Sequence, residues 1–191
     1  MSAKETFIQV YTTLIRRDGA KELLEWLERS DFFSAPASTR FHGAFEGGLV
    51  EHSLNVFDRL TELVEGVHGV KWPDPESIAI VALLHDLCKV NFYKTEYRNK
   101  KNHHGVWEQV PFYTVDDTLP MGHGEKSLYI VSGFMKLSRE EAMAIRWHMG
   151  FSDSSFKGGD HTVGNAFEQY PLAMLLHMAD MAATYLDEKR G

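Results

Sequence analysis

The chain predicts an all-α fold: a helical bundle with one small inserted β-hairpin. Three observations carry that reading. Apolar residues recur at helical spacing in most segments, as in Phe7, Val10 and Leu14 or Leu49, Val56, Leu60 and Leu63. Helix-start signals precede several of these segments, with Ser2 and Glu5, Asp74-Pro75, and Ser138 with Glu141. The pattern changes only at Phe92–Val115, where Tyr, Thr, Val, Trp and Phe flank a polar turn ending at Gly105, the mark of a hairpin.

Taken in order, helices are expected over 4–17 and 19–29, the second carrying Leu23, Trp26 and Leu27, with Gly19 between them. Residues 31–46 read as a loop of small and aromatic residues. Gly47-Gly48 opens a helix over 49–65 that carries His52 on its apolar face. Asp74-Pro75 launches a strongly apolar helix, containing IAIVALLHDLCK, to about Val90. After the hairpin, 116–122 is a loop, and His123 stands where a helix over 124–136 begins. A further helix is expected over 139–149, ending beside His148 at Gly150. Residues 151–169 read as a Gly/Ser-rich loop. Pro171 starts the last helix, through LAMLLHMADMAATYLDE, carrying His177 and Asp180. The whole 1–191 is read as one domain, with N-terminal helices in 1–30, a core over 40–186 and the insertion at 92–115.

The bulk properties exclude several classes. A length of 191 residues suffices to close a core, and 43% hydrophobic with 25% charged residues is ordinary for a globular protein. A net charge of −7 gives no general attraction for phosphate backbones. The single cysteine, Cys88, rules out a disulfide scaffold and points to a reducing compartment. No segment reads as a leader or a membrane span, so the expectation is a cytoplasmic protein with no membrane partner.

Ten histidines are the one compositional oddity. His85 and Asp86 sit side by side in the most apolar run, and a buried Asp must be paired or bound to a metal. His52, His123, His148 and Asp180 are the other metal-capable residues on predicted helices or helix ends. Singly, each has an ordinary explanation: a hydrogen-bonded core histidine for His52, a helix-dipole partner for His148, a helix-start residue for His123, a cap or Arg partner for Asp180. Together they predict a site for divalent metal, because imidazole and carboxylate are the ligands of Mn, Fe, Co, Ni, Zn and Mg.

The text around these residues resembles the HD-domain superfamily of metal-dependent phosphohydrolases. Its H…HD…D pattern falls on His52, His85-Asp86 and Asp180. FHGAFEGGLVEHSLNVF and ALLHDLCKVNFY resemble the branch that includes HD-type 3′–5′ exoribonucleases, and GHGEKS and RWHMG resemble the two added histidine motifs of binuclear members. That resemblance implies two divalent metal ions: His52, His85, Asp86 and Asp180 hold one, His123 and His148 the other, with Asp86 bridging. It implies hydrolysis by an activated water, with Asp86 and Lys89 as catalytic residues, although Lys89 taken alone reads equally as a snorkelling lysine.

In the resembling branch the segment carrying His42 and Glu46 borders the active site, which implies substrate contact, although the two read equally as ordinary loop residues. The basic run Arg98, Lys100 and Lys101 reads either as a solvated turn or as a flap gripping phosphate. Glu125 would orient His123, and His177 would support the ligands from behind. The exoribonucleases carry an added OB-fold domain; an acidic chain of 191 residues is expected to leave no room for one, so the expected partner is a small phosphorylated substrate, a nucleotide or short nucleic acid. Two other readings use the same residues: a di-iron HD-type oxygenase, and a non-catalytic nucleotide-binding module.

Overall fold

The computed structural model describes residues 1–69 and 71–188. Val70 and 189–191, which fall in the expected 1–191 span, lie outside the described residues. Among the described residues the architecture is helical with one two-stranded antiparallel sheet, as the periodicity predicts. The helices are α1 (Ala3–Leu14), α2 (Ala20–Arg29), α3 (Gly48–Gly66), α4 (Pro75–Leu84), α5 (His123–Ser132), α6 (Arg139–Trp147), α7 (Ser154–Lys157), α8 (Thr162–Gln169) and α9 (Pro171–Ala182). The strands β1 (Tyr93–Lys101) and β2 (Trp107–Val115) pair in register from Tyr93 opposite Val115 to Lys101 opposite Trp107. No described helix is long and apolar enough to cross a membrane.

The core is assembled around α4, whose Ala79–Leu84 run is completely buried. A helix that is apolar all round can only be an interior one. It packs on α1, α3 and α6, while α9 packs on α3 and α6 from another side. Asp74 accepts the Ser77 N–H at 2.9 Å and Pro75 occupies the first turn, as the sequence indicates. Both expected capping boxes form, at Ser2–Glu5 and at Ser138–Glu141.

Several expected boundaries move, each for a tertiary reason. The first helix stops at Leu14 rather than 17, because the Arg16 and Arg17 N–H groups donate to Glu76 Oε1 at 2.6 and 2.9 Å. The fourth ends at Leu84, not near Val90: Asp86 leaves helical geometry (φ −106°, ψ 21°), and a 3-10 turn follows at Leu87–Lys89. The fifth ends at Ser132 rather than 136, where a turn carries Met135 into the core. The sixth ends at Trp147, with His148 as its cap. The expected loop 151–169 holds α7 and α8, whose Val163 and Ala166 pack beneath Trp147. The last helix changes at Ala183–Asp187 into a π-helical turn.

A polar junction ties distant parts of the bundle together. The Glu141 carboxylate accepts two bonds from Arg17, both 2.8 Å, one from the Ser77 hydroxyl at 2.6 Å and one from the Ser138 N–H at 2.7 Å. It joins the α1–α2 turn to the starts of α4 and α6. Burial pushes its pKa up, but the Arg17, Ser77 and Ser138 donors outweigh burial and hold it below the ordinary value. Glu141→Ala leaves Arg17 without its main partner and should cost about 3–5 kcal/mol in urea denaturation at neutral pH. A carboxylate with a depressed folded pKa stabilises above its unfolded value and loses that stabilisation as pH falls through the folded one. The gap between wild type and variant should therefore narrow below about pH 4.3.

Candidate metal centre

Five backbone segments deliver the residues singled out in the sequence, and close backbone approaches make the delivery possible. His52 lies in the second turn of α3. The start of that helix presses on the preceding loop: a Cβ on Gly48 would lie 2.0 Å from the Gly43 carbonyl oxygen. His85 and Asp86 follow the end of α4. Successive residues on a continued helix would point about 100° apart, so ending the helix lets neighbours face one centre. His123 begins α5 and His148 ends α6, and the two helices meet where Gly124 packs on the Arg146 carbonyl, 2.0 Å from where a Cβ would stand. Asp180 comes from α9.

The four histidines converge on Asp86, and Asp180 joins them through His52. Its Oδ2 lies 3.4 Å from His52 Nε2 and 3.6 Å from His85 Nε2, while its Oδ1 lies 2.8 Å from His123 Nε2 and 3.5 Å from His148 Nε2. Asp180 Oδ1 is 3.3 Å from His52 Nε2, and the His52 and His85 Nε2 atoms are 3.2 Å apart. His52, His85 and Asp180 form one group able to hold a cation, and His85, Asp86 and His148 form an adjoining one. His52, His85, Asp86 and His148 are buried, Asp180 and His123 partly so.

The proton positions show what this cluster can hold. His85 Nδ1 lies 2.8 Å from the Ala82 carbonyl and His148 Nδ1 lies 2.7 Å from the Ile145 carbonyl. A carbonyl only accepts, so each Nδ1 carries the hydrogen and each Nε2 turns a lone pair inward. His148 Nε2 is buried with no hydrogen-bond partner among the described residues. His52 Nδ1 faces Glu188 Oε1 at 2.7 Å, which leaves its Nε2 for the cluster too. Lone pairs and carboxylate oxygens at 3.2–3.6 Å from one another repel unless a cation lies between them. Metal–ligand bonds of about 2.0–2.2 Å give such spacings, so the donor set fits divalent ions.

The electrostatics agree. Burial pushes His85 down to about 4, so it is neutral. Burial also acts downward on His52, but Asp180 and Glu188 outweigh it and raise the group to about 9: without a metal, a proton is the cation that satisfies this corner. Burial would raise Asp86, yet Lys89 and the histidines hold it well below the usual carboxylate range.

Of the other expected residues, Lys89 is buried, with Nζ 2.6 Å from Asp86 Oδ2. It borders a cleft of about 450 Å³ over the cluster, together with His42, Phe41, Met149, Asp180 and Tyr185. His42 lies beside His52, their ring centroids 5.2 Å apart and their planes tilted by 43°. Glu46, Arg98 and Lys100 line a separate groove, between the 39–46 loop and the hairpin, and Lys101 lies over the Trp107 ring. The cleft lining found among the described residues contains none of these four. Glu125 pairs with Arg146 instead of orienting His123. His177 borders the cleft and its Nδ1 donates to the His148 carbonyl at 2.7 Å.

Two residues at the centre were missed from the sequence. Cys88 Sγ lies 3.9 Å from Asp86 Oδ1, and burial raises its pKa so that it stays a thiol. Glu188 stands eight positions past Asp180, and an acidic residue two turns beyond a ligand was the only signal available for it.

The comparisons add lineage to this geometry. A family model described as HD domain matches residues 49–184. The dihydroneopterin 2′,3′-cyclic phosphate phosphodiesterase of Methanocaldococcus jannaschii is similar to this chain, 38% identical over 66 residues, which are 32% of this chain and 26% of that protein. The chain thus spans about a quarter of the length of the curated relative it matches. No solved structure matches.

Mn²⁺ at 100 times its dissociation constant should stabilise the folded protein by about 2.7 kcal/mol, read as a rise in melting temperature. Asp86→Asn, which keeps an acceptor for Lys89, should erase that rise; an unchanged rise would remove Asp86 from the centre. Gly124→Ala forces α5 away from α6 and should shrink the rise, because His123 and His148 no longer meet.

Proposed function

We propose, because this chain belongs to the HD domain family, that it is a metal-dependent phosphohydrolase acting on a phosphodiester or phosphomonoester of a nucleotide or short oligonucleotide. The observation that carries the reading is the division of Asp86. One carboxylate oxygen faces His52 and His85 and the other faces His123 and His148, which suits a carboxylate shared by two cations. In this reading His52, His85, Asp86 and Asp180 hold one cation, and His123 and His148 hold the second with Asp86. Divalent ions held there would supply Lewis acidity toward a phosphoryl oxygen and would lower the pKa of a bound water.

The chain's own residues then bind and orient. Lys89 keeps its proton, since Asp86 outweighs the effect of burial, and offers an ammonium at the cleft floor for a phosphate oxygen. His42 borders the same cleft, and Phe41 and Tyr185 supply aromatic walls for a ring-bearing group. A volume of about 450 Å³ suits a small ligand rather than a folded polymer.

Arg98, Lys100 and Lys101 are assigned no part in gripping the reacting phosphate, because they lie on the hairpin beside another groove. His177 holds the His148 backbone in place. The relative's name supports including cyclic phosphodiesters among the substrates tested.

The test is Mn²⁺-dependent hydrolysis of a panel: 2′,3′- and 3′,5′-cyclic nucleotides, nucleoside monophosphates, short oligonucleotides and a generic phosphodiester. At least one should turn over, stop on chelation, and fall by about 10³-fold in Asp86→Asn, a loss of several kcal/mol of cation-supplied stabilisation. No turnover on any member by protein that holds its metal would sink the hydrolase reading.

A further inference from the structure

The three buried imidazoles are oriented by different kinds of acceptor, and the difference has a structural cause. His85 and His148 stand at the C-terminal ends of α4 and α6, where carbonyls three residues back are free of the helix ladder and take the Nδ1 protons. His52 lies inside α3, whose carbonyls are already committed to that ladder. It needs an acceptor from elsewhere. Glu188, with a side chain only 7% exposed, provides one at 2.7 Å.

We propose that Glu188 is a positioning residue for His52, and that the π-helical turn before it is the device that brings it there. This rests on the metal-centre reading above. Over a regular α-helix the eight positions from Asp180 to Glu188 would leave Glu188 about 80° off the face Asp180 occupies. The turn over Ala183–Asp187 is wider, closed by the Glu188 N–H donating to the Ala183 carbonyl at 3.1 Å, and it brings the carboxylate back over α3.

Helix α3 then grips the turn with one face. His52, Asn55 and Arg59 are spaced three and four apart. Asn55 Nδ2 donates to Glu188 Oε1 at 3.3 Å, and Arg59 makes a two-bond contact to Asp187 at 2.7 and 2.5 Å. An ionised carboxylate behind a ligand imidazole fixes its Nδ1–H form, aims the Nε2 lone pair and makes the ring a better donor. Deleting such a partner costs about 10–100-fold in metal affinity.

The experiment measures Mn²⁺ affinity by competition with a chelating dye, using the full chain, with melting of the metal-free protein as a fold control. Glu188→Ala should bind Mn²⁺ about 10–100-fold more weakly. Glu188→Gln should recover most of that loss, because its carbonyl accepts the same Nδ1 proton. Arg59→Gln, which releases the turn without touching the centre, should show an intermediate loss and remains informative if Glu188→Ala does not fold. Wild-type affinity in Glu188→Ala, or in Arg59→Gln where the alanine variant is unfolded, would overturn the proposal. So would equal losses in the Ala and Gln variants, which would indicate charge alone. These responses without turnover on any phosphate ester would sink the hydrolase reading and leave this one standing, whereas a wild type that binds no Mn²⁺ would sink both.

Discussion

A carboxylate at the centre of an apolar bundle is the constraint on which the rest of the molecule depends. Asp86 is 3% exposed, directly after a helix with no solvent-facing side along Ala79–Leu84. An isolated buried charge of this kind would cost many kcal/mol or lose its ionisation. Here it stays ionised because Lys89 and the histidines face it from several segments. Each of those segments must hold its position for the charge to be tolerated, so the site and the core stabilise together.

Helix termini do much of the positioning. The end of α4 turns His85 and Asp86 toward one point, the start of α5 presents His123, and the end of α6 presents His148. Ends supply free carbonyls, and two of these fix which imidazole nitrogen keeps its proton. The price of building a site from helix ends is that those ends must be locked from outside. The Glu141–Arg17 junction ties the opposite ends, the starts of α4 and α6, to the α1–α2 turn, and so fixes the two helices that carry His85 and His148.

The hairpin stands apart from this logic. Its strands pair closely along Tyr93–Lys101 and Trp107–Val115, yet Arg98 and Lys100 face a groove shared with the 39–46 loop rather than the cluster. Asn91 enters it in left-handed geometry (φ 51°), with its N–H held by Asp31 at 2.6 Å. The turn redirects the chain out of the core immediately after Val90, so that one short stretch serves the buried centre and the next an exposed ribbon.

The sequence by itself determined the helical class, the hairpin and the set of residues that meet, because these are written in short-range terms. Period-3.6 spacing, capping residues and the chemical oddity of His-Asp in an apolar run are all readable within a few positions. Where helices stop was less legible. Arg16 and Arg17 leave α1 for a carboxylate 60 positions away, and nothing local to 4–17 announces that. The same holds for Glu125, adjacent in sequence to His123 but drawn off by Arg146, and for Glu188, which reaches His52 only through a π turn and a clamp across 128 positions. The tertiary structure alone decided which nitrogen of His52 faces inward and which oxygen of Asp86 faces which pair. Those choices depend on contacts between segments remote in the chain, and residue type and spacing carry no record of them.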